Sequence, residues 1–137
     1  MSQPDAAMMA PVGRVVRFMR SLDADGLADA FTTFPAIVEN FAPYLFRGED
    51  AVERWQAGFA ARAQALQLTG LAAGFGHAQD FSRTGDRVFF SLPTVWTGKA
   101  AGAAFRETGG WAFVLDGADG AWRIRSYAWA VTGYGEG

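Results

Sequence analysis

Two ionisable side chains, Glu107 and His77, are the main candidates for acid–base chemistry in this sequence. Glu107 lies in an alternating segment whose apolar members Phe105 and Trp111 share its side of a predicted strand. Burial on that side raises the pKa of a carboxyl group toward the range of a general acid or base. If the preceding turn is a two-residue hairpin, His77 and Glu107 both face Thr94, which predicts a polar band across three strands. A histidine beside a carboxylate suits an isomerase, a cyclase or a dehydratase.

Both residues also have non-catalytic interpretations. A one-residue change in the same turn moves His77 to the outer face of the sheet, where it is an ordinary surface side chain. Glu107 alternatively pairs with an arginine or lies near an open end of the sheet. The predicted site therefore depends on the elements that position these two side chains.

The first half of the chain is predicted to be helical, because its apolar residues recur at helical spacing and Pro or Asp-Gly clusters mark the ends. The predicted elements are a helix from Pro11 to about Leu22, a short helix over Leu27–Phe34 ended by Pro35, a short strand at Ala36–Phe41, a turn over Pro43–Gly48 and a helix over Glu49–Leu66.

After Gly70 the apolar pattern changes to a period of two, which is typical of strands. The four predicted strands are Leu71–Arg83, Arg87–Thr97, Ala103–Leu115 and Ala121–Thr132, separated by Gly/Asp-rich turns such as Asp116–Gly120. Within the third strand, the pair Gly109-Gly110 predicts a bulge or a close approach of two backbones.

A symmetric turn over Asp116–Gly120 predicts the facing pairs Phe113–Ile124, Trp111–Ser126 and Glu107–Ala130. One face of the sheet is then almost entirely apolar, and the helices should pack against it. Its members are Val88, Phe90, Leu92, Trp96, Phe105, Trp111, Phe113, Leu115, Trp122 and Ile124. The opposite face carries Arg106, Arg125, Tyr127 and Trp129, a composition typical of a protein interface, so we expect a homodimer through that face.

Composition narrows the classes of function. The 137 residues include 12 Lys+Arg and 14 Asp+Glu, for a net charge of −2, so no basic excess favours a nucleic-acid partner. The absence of cysteine and the single histidine exclude Cys-based zinc sites and multi-His metal sites. We predict no metal, no cofactor, no signal peptide and no membrane span, and a cytoplasmic location. Residues 1–10 are expected to be flexible, followed by one domain over residues 11–137.

Four segments, taken in order, resemble the nuclear transport factor two-like superfamily. They are VVRFMRSLDADGLADAF, AIVENF, FRGEDAVERWQAGF and DGADGAWRIRSYAW, and the likeness covers Val12–Gly133. The SnoaL-like and ketosteroid-isomerase-like branch is the most similar. The resemblance implies an α+β fold, a cone-shaped roll of three N-terminal helices packed on a strongly curved antiparallel sheet. It also implies a pocket inside the cone and homodimers through the outer sheet face.

The catalytic positions of the steroid isomerases do not carry over to this chain. The resemblance places Asn40 at the position of the basic aspartate, Phe18 at that of the oxyanion-hole tyrosine and Trp111 at that of the sheet acid. An amide does not abstract a proton at neutral pH. A shift of one residue puts Glu39 at the base position, but on the opposite face of its strand. Steroid-type isomerisation is therefore not predicted.

Three functions remain open. The first is the binding of a small apolar or aromatic ligand in the cone without chemistry. The second is a cofactor-free isomerase, cyclase or dehydratase in which His77 or Glu107 acts as acid or base, with Asn40 or Tyr44 polarising a carbonyl. The third is a structural homodimer whose aromatic residues fill the cone. The predicted ligand-binding residues are Phe18, Asn40, Tyr44, Trp55, Phe59, Thr94, Trp96 and Trp111.

Overall fold

The computed structural model describes residues 2–118 and 120–137, which form two α-helices and one curved, unclosed seven-stranded sheet. The helical elements are α1 (Ala6–Ser21), a 3-10 turn (Ala28–Ala30) and α2 (Ala51–Leu66). The strands are β1 (Phe31–Val38), β2 (Leu45–Arg47), β3 (Leu68–Phe75), β4 (Asp80–Thr84), β5 (Arg87–Ala100), β6 (Ala103–Asp116) and β7 (Arg123–Glu136). The α+β class is confirmed. Asp119, within the predicted turn over 116–120, lies outside the described residues.

The first helix starts earlier than predicted because Asp5 caps it. The Asp5 carboxylate accepts the backbone N–H of Met8 at 2.9 Å, and α1 therefore begins at Ala6 rather than at Pro11. Pro11 is accommodated inside the helix. The C-terminal end falls at Leu22, whose backbone is left-handed and donates to the Phe18 carbonyl at 2.7 Å.

The predicted second helix over Leu27–Phe34 is wrong. Only the 3-10 turn at Ala28–Ala30 is helical there, and β1 begins directly at Phe31. The run Phe31–Phe34 contains two aromatic and two threonine residues, which favour a strand over a helix. The described residues thus form two α-helices where three helices were expected, and β1 ends at Val38 instead of extending to Phe41.

The sheet has the strand order β2-β1-β7-β6-β5-β3, and β4 also pairs with β5. Its pairs are antiparallel except for β1 and β7, which run parallel. The predicted first long strand, Leu71–Arg83, is divided into β3 and β4. Between them the backbone of Ala78 exchanges two hydrogen bonds, of 2.7 and 3.1 Å, with the side-chain amide of Gln3.

The register between β6 and β7 differs from the prediction. Phe113 faces Tyr127, Trp111 faces Trp129 and Glu107 faces Tyr134. The loop is longer than assumed, and the register shifts between Val114 and Leu115 and again between Thr108 and Gly109. The second shift leaves Thr132 on β7 without a partner, so the irregularity predicted at Gly109-Gly110 is present, with the extra residue on the neighbouring strand.

The register shift near Arg125 decides which β7 side chains point into the cone. Ile124 is buried before it, and Tyr127 and Trp129 are buried after it, so the strict alternation assumed for β7 fails. Tyr127 and Trp129 are 2% and 8% exposed, and their predicted place on the outer face is wrong. The apolar inner face predicted for β5 and β6 is confirmed, since its members on those strands are buried.

The outer face of the sheet carries small uncharged side chains along its centre. Ala112 and Val114 on β6 lie opposite Ala128 and Ser126 on β7, and each alternates with a buried neighbour. We call these four residues the outer patch. Among the described residues, no helix is both long and apolar enough to cross a membrane.

Candidate functional site

A cavity of about 520 Å³ lies between the helices and the concave face of the sheet. Most of its wall is aromatic or aliphatic, interrupted by the polar side chains of Glu39, Asn40, Arg62 and Glu107. The apolar lining consists of Met19, Phe41, Phe59, Leu66, Leu68, Leu71, Trp96, Phe105, Trp111, Trp129 and Val131, with Tyr134 at its edge. A few polar groups on an apolar wall are typical of a small-molecule site.

Glu39 is the most deeply buried of these polar residues. It follows the end of β1, continues the inward alternation of Ile37, and is 6% exposed. Its Oε2 atom accepts hydrogen bonds from Trp55 Nε1 at 2.8 Å and from the Tyr127 hydroxyl at 2.5 Å. Its Oε1 atom accepts no hydrogen bond from the described part of the chain, and the residue lines the cavity.

Burial raises the pKa of the Glu39 carboxyl from 4.5 to about 7, against the opposing effect of the hydrogen bonds from Tyr127 and Trp55. The charge of Glu107 raises this pKa further, and Arg62 lowers it. Burial also raises the pKa of Tyr127 well above its ordinary value, so its phenol stays protonated and donates. A carboxyl group that titrates near neutral pH is suited to both donating and accepting a proton.

Glu107 provides the second carboxyl group of the cavity. It is half-buried on β6, between Trp96 on β5 and Tyr134 on β7. Its Oε1 atom accepts Trp129 Nε1–H at 2.9 Å, and its Oε2 atom accepts none from the described residues. The missing side chain of Gly109 makes this contact possible, because a Cβ at that position would lie 2.6 Å from the Trp129 ring.

Arg62 is a half-buried cation on the α2 side of the same cavity. Its guanidinium lies 5.7 Å from the centroid of the Phe41 ring, at a distance typical of a cation–π contact. Among the described residues, the cavity thus combines two carboxyl groups, one guanidinium and the Asn40 amide with an otherwise apolar wall.

The predicted polar band of His77, Thr94 and Glu107 is not formed. His77 is exposed in the loop between β3 and β4 and does not line the cavity. Thr94 faces Phe75 and Gly109 rather than the two predicted partners, and its buried hydroxyl donates to the Leu92 carbonyl at 3.1 Å. His77 is removed from the sheet because β3 ends at Phe75, and Glu107 faces Trp96 because β5 continues to Ala100 and sets a different register with β6.

The predicted ligand-binding residues divide into two groups. Those that line the cavity are Asn40, Phe59, Trp96 and Trp111. Those that do not line it are Phe18, Tyr44, Trp55 and Thr94. Phe18 and Trp55 pack against each other in the core, with ring centroids 5.3 Å apart, whereas Tyr44 is 61% exposed.

The site contains residues that were not predicted from the sequence as site residues: Glu39, Arg62, Tyr127 and Trp129. Shifting the alignment with the steroid isomerases by one residue puts Glu39 at the position of the base. The predicted alternation of the strand, however, placed its side chain on the opposite face. Tyr127 and Trp129 were assigned to the outer face because strict alternation was assumed along β7. Arg62 lies on α2 beside the cavity, and its spacing from other residues in the sequence does not mark it as a site residue.

Comparison with known proteins finds no matching family model and no matching curated protein. Solved structures do match. A hexachlorocyclohexane dehydrochlorinase from Novosphingobium barchaimii has a TM-score of 0.78 at 8% identity, covering 96% of this chain and 88% of that one. A protein proposed to be a ketosteroid isomerase, from Shewanella frigidimarina, has a TM-score of 0.71 at 20% identity, covering 92% and 96%.

A third similar structure is Aln2 from Streptomyces, with a TM-score of 0.70 at 20% identity, covering 95% of this chain and 94% of that one. At these identities the likeness concerns the fold and not the activity. The α+β fold that the resemblance to the nuclear transport factor two-like superfamily implied is nevertheless confirmed at that level, because this chain shares its fold with all three structures.

Proposed function

We propose that this protein is a cofactor-free acid–base enzyme of the isomerase or lyase class, acting on a small apolar carbonyl compound in the cavity. The observation that carries the proposal is the position of Glu39. Its carboxyl group lines an apolar cavity, is held by two hydrogen bonds on one oxygen, and has its pKa raised to about 7.

The hydrogen bonds of Glu39 determine where its proton lies. Because Oε2 already accepts from Tyr127 and Trp55, the proton of the neutral acid belongs on Oε1, toward the cavity. A carbonyl oxygen is a suitable acceptor for this donor, since the hydrogen bond strengthens as negative charge develops on that oxygen. Glu39 therefore acts as the acid.

Glu107 acts as the base in this scheme. Its Oε2 atom removes a proton from the carbon next to the carbonyl, and the C–H electron pair forms a carbon–carbon double bond. The carbonyl π electrons move to oxygen, which takes the hydrogen bond or proton from Glu39. Return of a proton to another carbon gives an isomer, and departure of a leaving group with its electron pair gives an elimination product. An isomerase and a dehydrochlorinase among the names of the similar structures support this class of reaction.

Exchange of carbon-bound protons tests the proposal without knowledge of the natural substrate. Proton NMR in D₂O at pH 7 follows loss of the α-proton signal of 2-tetralone. We expect exchange faster than in buffer, and a rate at least about 100-fold lower in Glu39→Gln and in Glu107→Gln. Glu49→Gln, at an exposed site, is the matched control. Exchange that is no faster than in buffer, or that survives Glu39→Gln, contradicts the proposal.

Ligand binding without turnover is the second candidate, and the predominantly aromatic lining favours it. Binding alone predicts that Trp96→Ala weakens ligand uptake, while the exchange assay shows no rate above buffer. A purely structural role fits less well, because it requires the aromatic side chains to fill the space that the 520 Å³ cavity occupies.

We also propose that the protein forms a homodimer. The contact is made by the outer patch, because Tyr127 and Trp129 of the predicted surface are buried. The outer patch is uncharged and built of small residues, so two copies can approach face to face. Arg106 remains exposed outside this patch, and Arg125 donates to the Phe34 carbonyl at 2.9 Å. Sedimentation velocity should show a dimer that Ala128→Glu converts to a monomer. A monomeric unaltered protein contradicts the assignment.

A further inference from the structure

Arg62 is the charged residue of the cavity that the proposed reaction does not use. It lies on α2, is half-buried, and lines the cavity. Its position is defined by the Phe41 ring, 5.7 Å from the guanidinium carbon, rather than by a hydrogen bond or ion pair with another described residue.

Several other arginines of the chain have acceptors within the protein. The pairs are Arg17 with Asp23, Arg54 with Asp50, Arg87 with Asp116, and Arg20 with the Leu71 carbonyl. Arg62 differs from these because it lines the cavity and makes no hydrogen bond or ion pair with a described residue, although its charge acts on Glu39 through space.

The surroundings of Arg62 favour an anion from outside the protein. The aromatic and aliphatic wall excludes water from one side, and this strengthens the attraction between a guanidinium and a negative charge. The planar fork of an arginine matches the two oxygens of a carboxylate, and contact with a ring holds that fork in place. Both carboxyl groups of the cavity belong to the sheet side, Glu107 on β6 and Glu39 just after β1, so their repulsion favours placement of an anion toward α2.

We propose that the molecule bound in this cavity carries a carboxylate, which Arg62 binds through its guanidinium while the apolar body of the ligand contacts the aromatic wall. The substrate class is then an apolar keto acid rather than a neutral ketone. This inference rests on the proposed function, because it concerns the substrate of the same cavity.

A matched pair of probes separates charge from shape. Isothermal titration calorimetry compares 1-naphthaleneacetate with 1-naphthaleneacetamide, which has nearly the same shape and no charge. The variants are Arg62→Gln and Arg62→Lys, and Arg14→Gln removes the same charge from an exposed site on α1. Circular dichroism checks that each variant is folded.

The expected result is a Kd for the acid at least about tenfold lower than for the amide, in line with a charge-assisted hydrogen bond. Arg62→Gln should remove this preference, Arg62→Lys should restore part of it, and Arg14→Gln should leave it unchanged. Equal affinity for the two probes, a preference that survives Arg62→Gln, or no saturable binding of either probe overturns the inference.

Failure of this experiment is distinguishable from failure of the proposed function. The calorimetric measurement requires no turnover, and the ketone used for proton exchange carries no carboxylate. A protein that exchanges the ketone protons but does not prefer the acid keeps the Glu39 proposal and loses the Arg62 one.

Discussion

The buried carboxyl of Glu39 should make the stability of the fold depend on pH. In the folded protein its pKa is about 7, against 4.5 for the ordinary group. Between these values the folded state holds a proton that the unfolded state has released. Since the unfolded state then binds fewer protons, the free energy of unfolding falls as pH rises from about 4.5 to about 7.

The size of this fall follows from the difference between the two pKa values. The difference is about 2.5 pH units, from 4.5 to about 7, and each unit corresponds to about 1.4 kcal/mol. Glu39 should therefore remove about 3 kcal/mol of stability at pH 8 relative to pH 4. This is a substantial fraction of the stability of a domain of this size.

Urea unfolding at pH 4, 6 and 8 measures the effect. In Glu39→Gln the side chain keeps an acceptor for Tyr127 and Trp55 but does not titrate, so its stability should lack this fall. Glu49→Gln, at an exposed site, should behave like the unaltered protein. The reasoning is refuted if the unaltered protein and Glu39→Gln show parallel pH dependences.

Two further substitutions test the geometry around the site. Tyr127→Phe removes a 2.5 Å hydrogen bond that stabilises the charged carboxylate, so the pKa of the buried carboxyl should rise by about one to two pH units, whereas Tyr134→Phe should not change it. Gly109→Ala places a Cβ 2.3 Å from a backbone oxygen and should lower the free energy of unfolding by about 2 kcal/mol or more; Gly110→Ala, with no atom within 4 Å, should not. NMR titration measures the pKa change in Tyr127→Phe, and urea unfolding measures the stability change in Gly109→Ala. In either case, an equal effect in the substitution and in its control contradicts the argument.

The parts of the fold that follow a regular period were predictable from the sequence. The inner faces of β5 and β6 alternate without interruption from Val88 to Trp96 and from Trp111 to Leu115, and their apolar members are buried as expected. The glycine pair at 109–110 marked the bulge because glycine tolerates a close backbone approach.

The site could be predicted only in part: Glu107, Trp96 and Trp111 lie on those strands and line the cavity as expected, whereas Trp129 depends on an irregularity that the sequence does not mark. No glycine accompanies the register shift near Arg125, although that shift turns Tyr127 and Trp129 into the cone. Glu39 continues the inward alternation of Ile37, but the resemblance placed its neighbour Asn40 at the inward position. A change of one residue in either strand exchanges the faces, so the central carboxyl was assigned to the wrong side.

The most direct test of the central claim is a ¹³C NMR titration of the glutamate Cδ signals, with the Glu39 signal identified by its loss in Glu39→Gln. The account predicts that this signal titrates with a midpoint at about pH 7. A midpoint near the ordinary value of 4.5 would mean that the carboxyl is solvated and ionised at neutral pH, and it would contradict the assignment of Glu39 as the acid of the cavity.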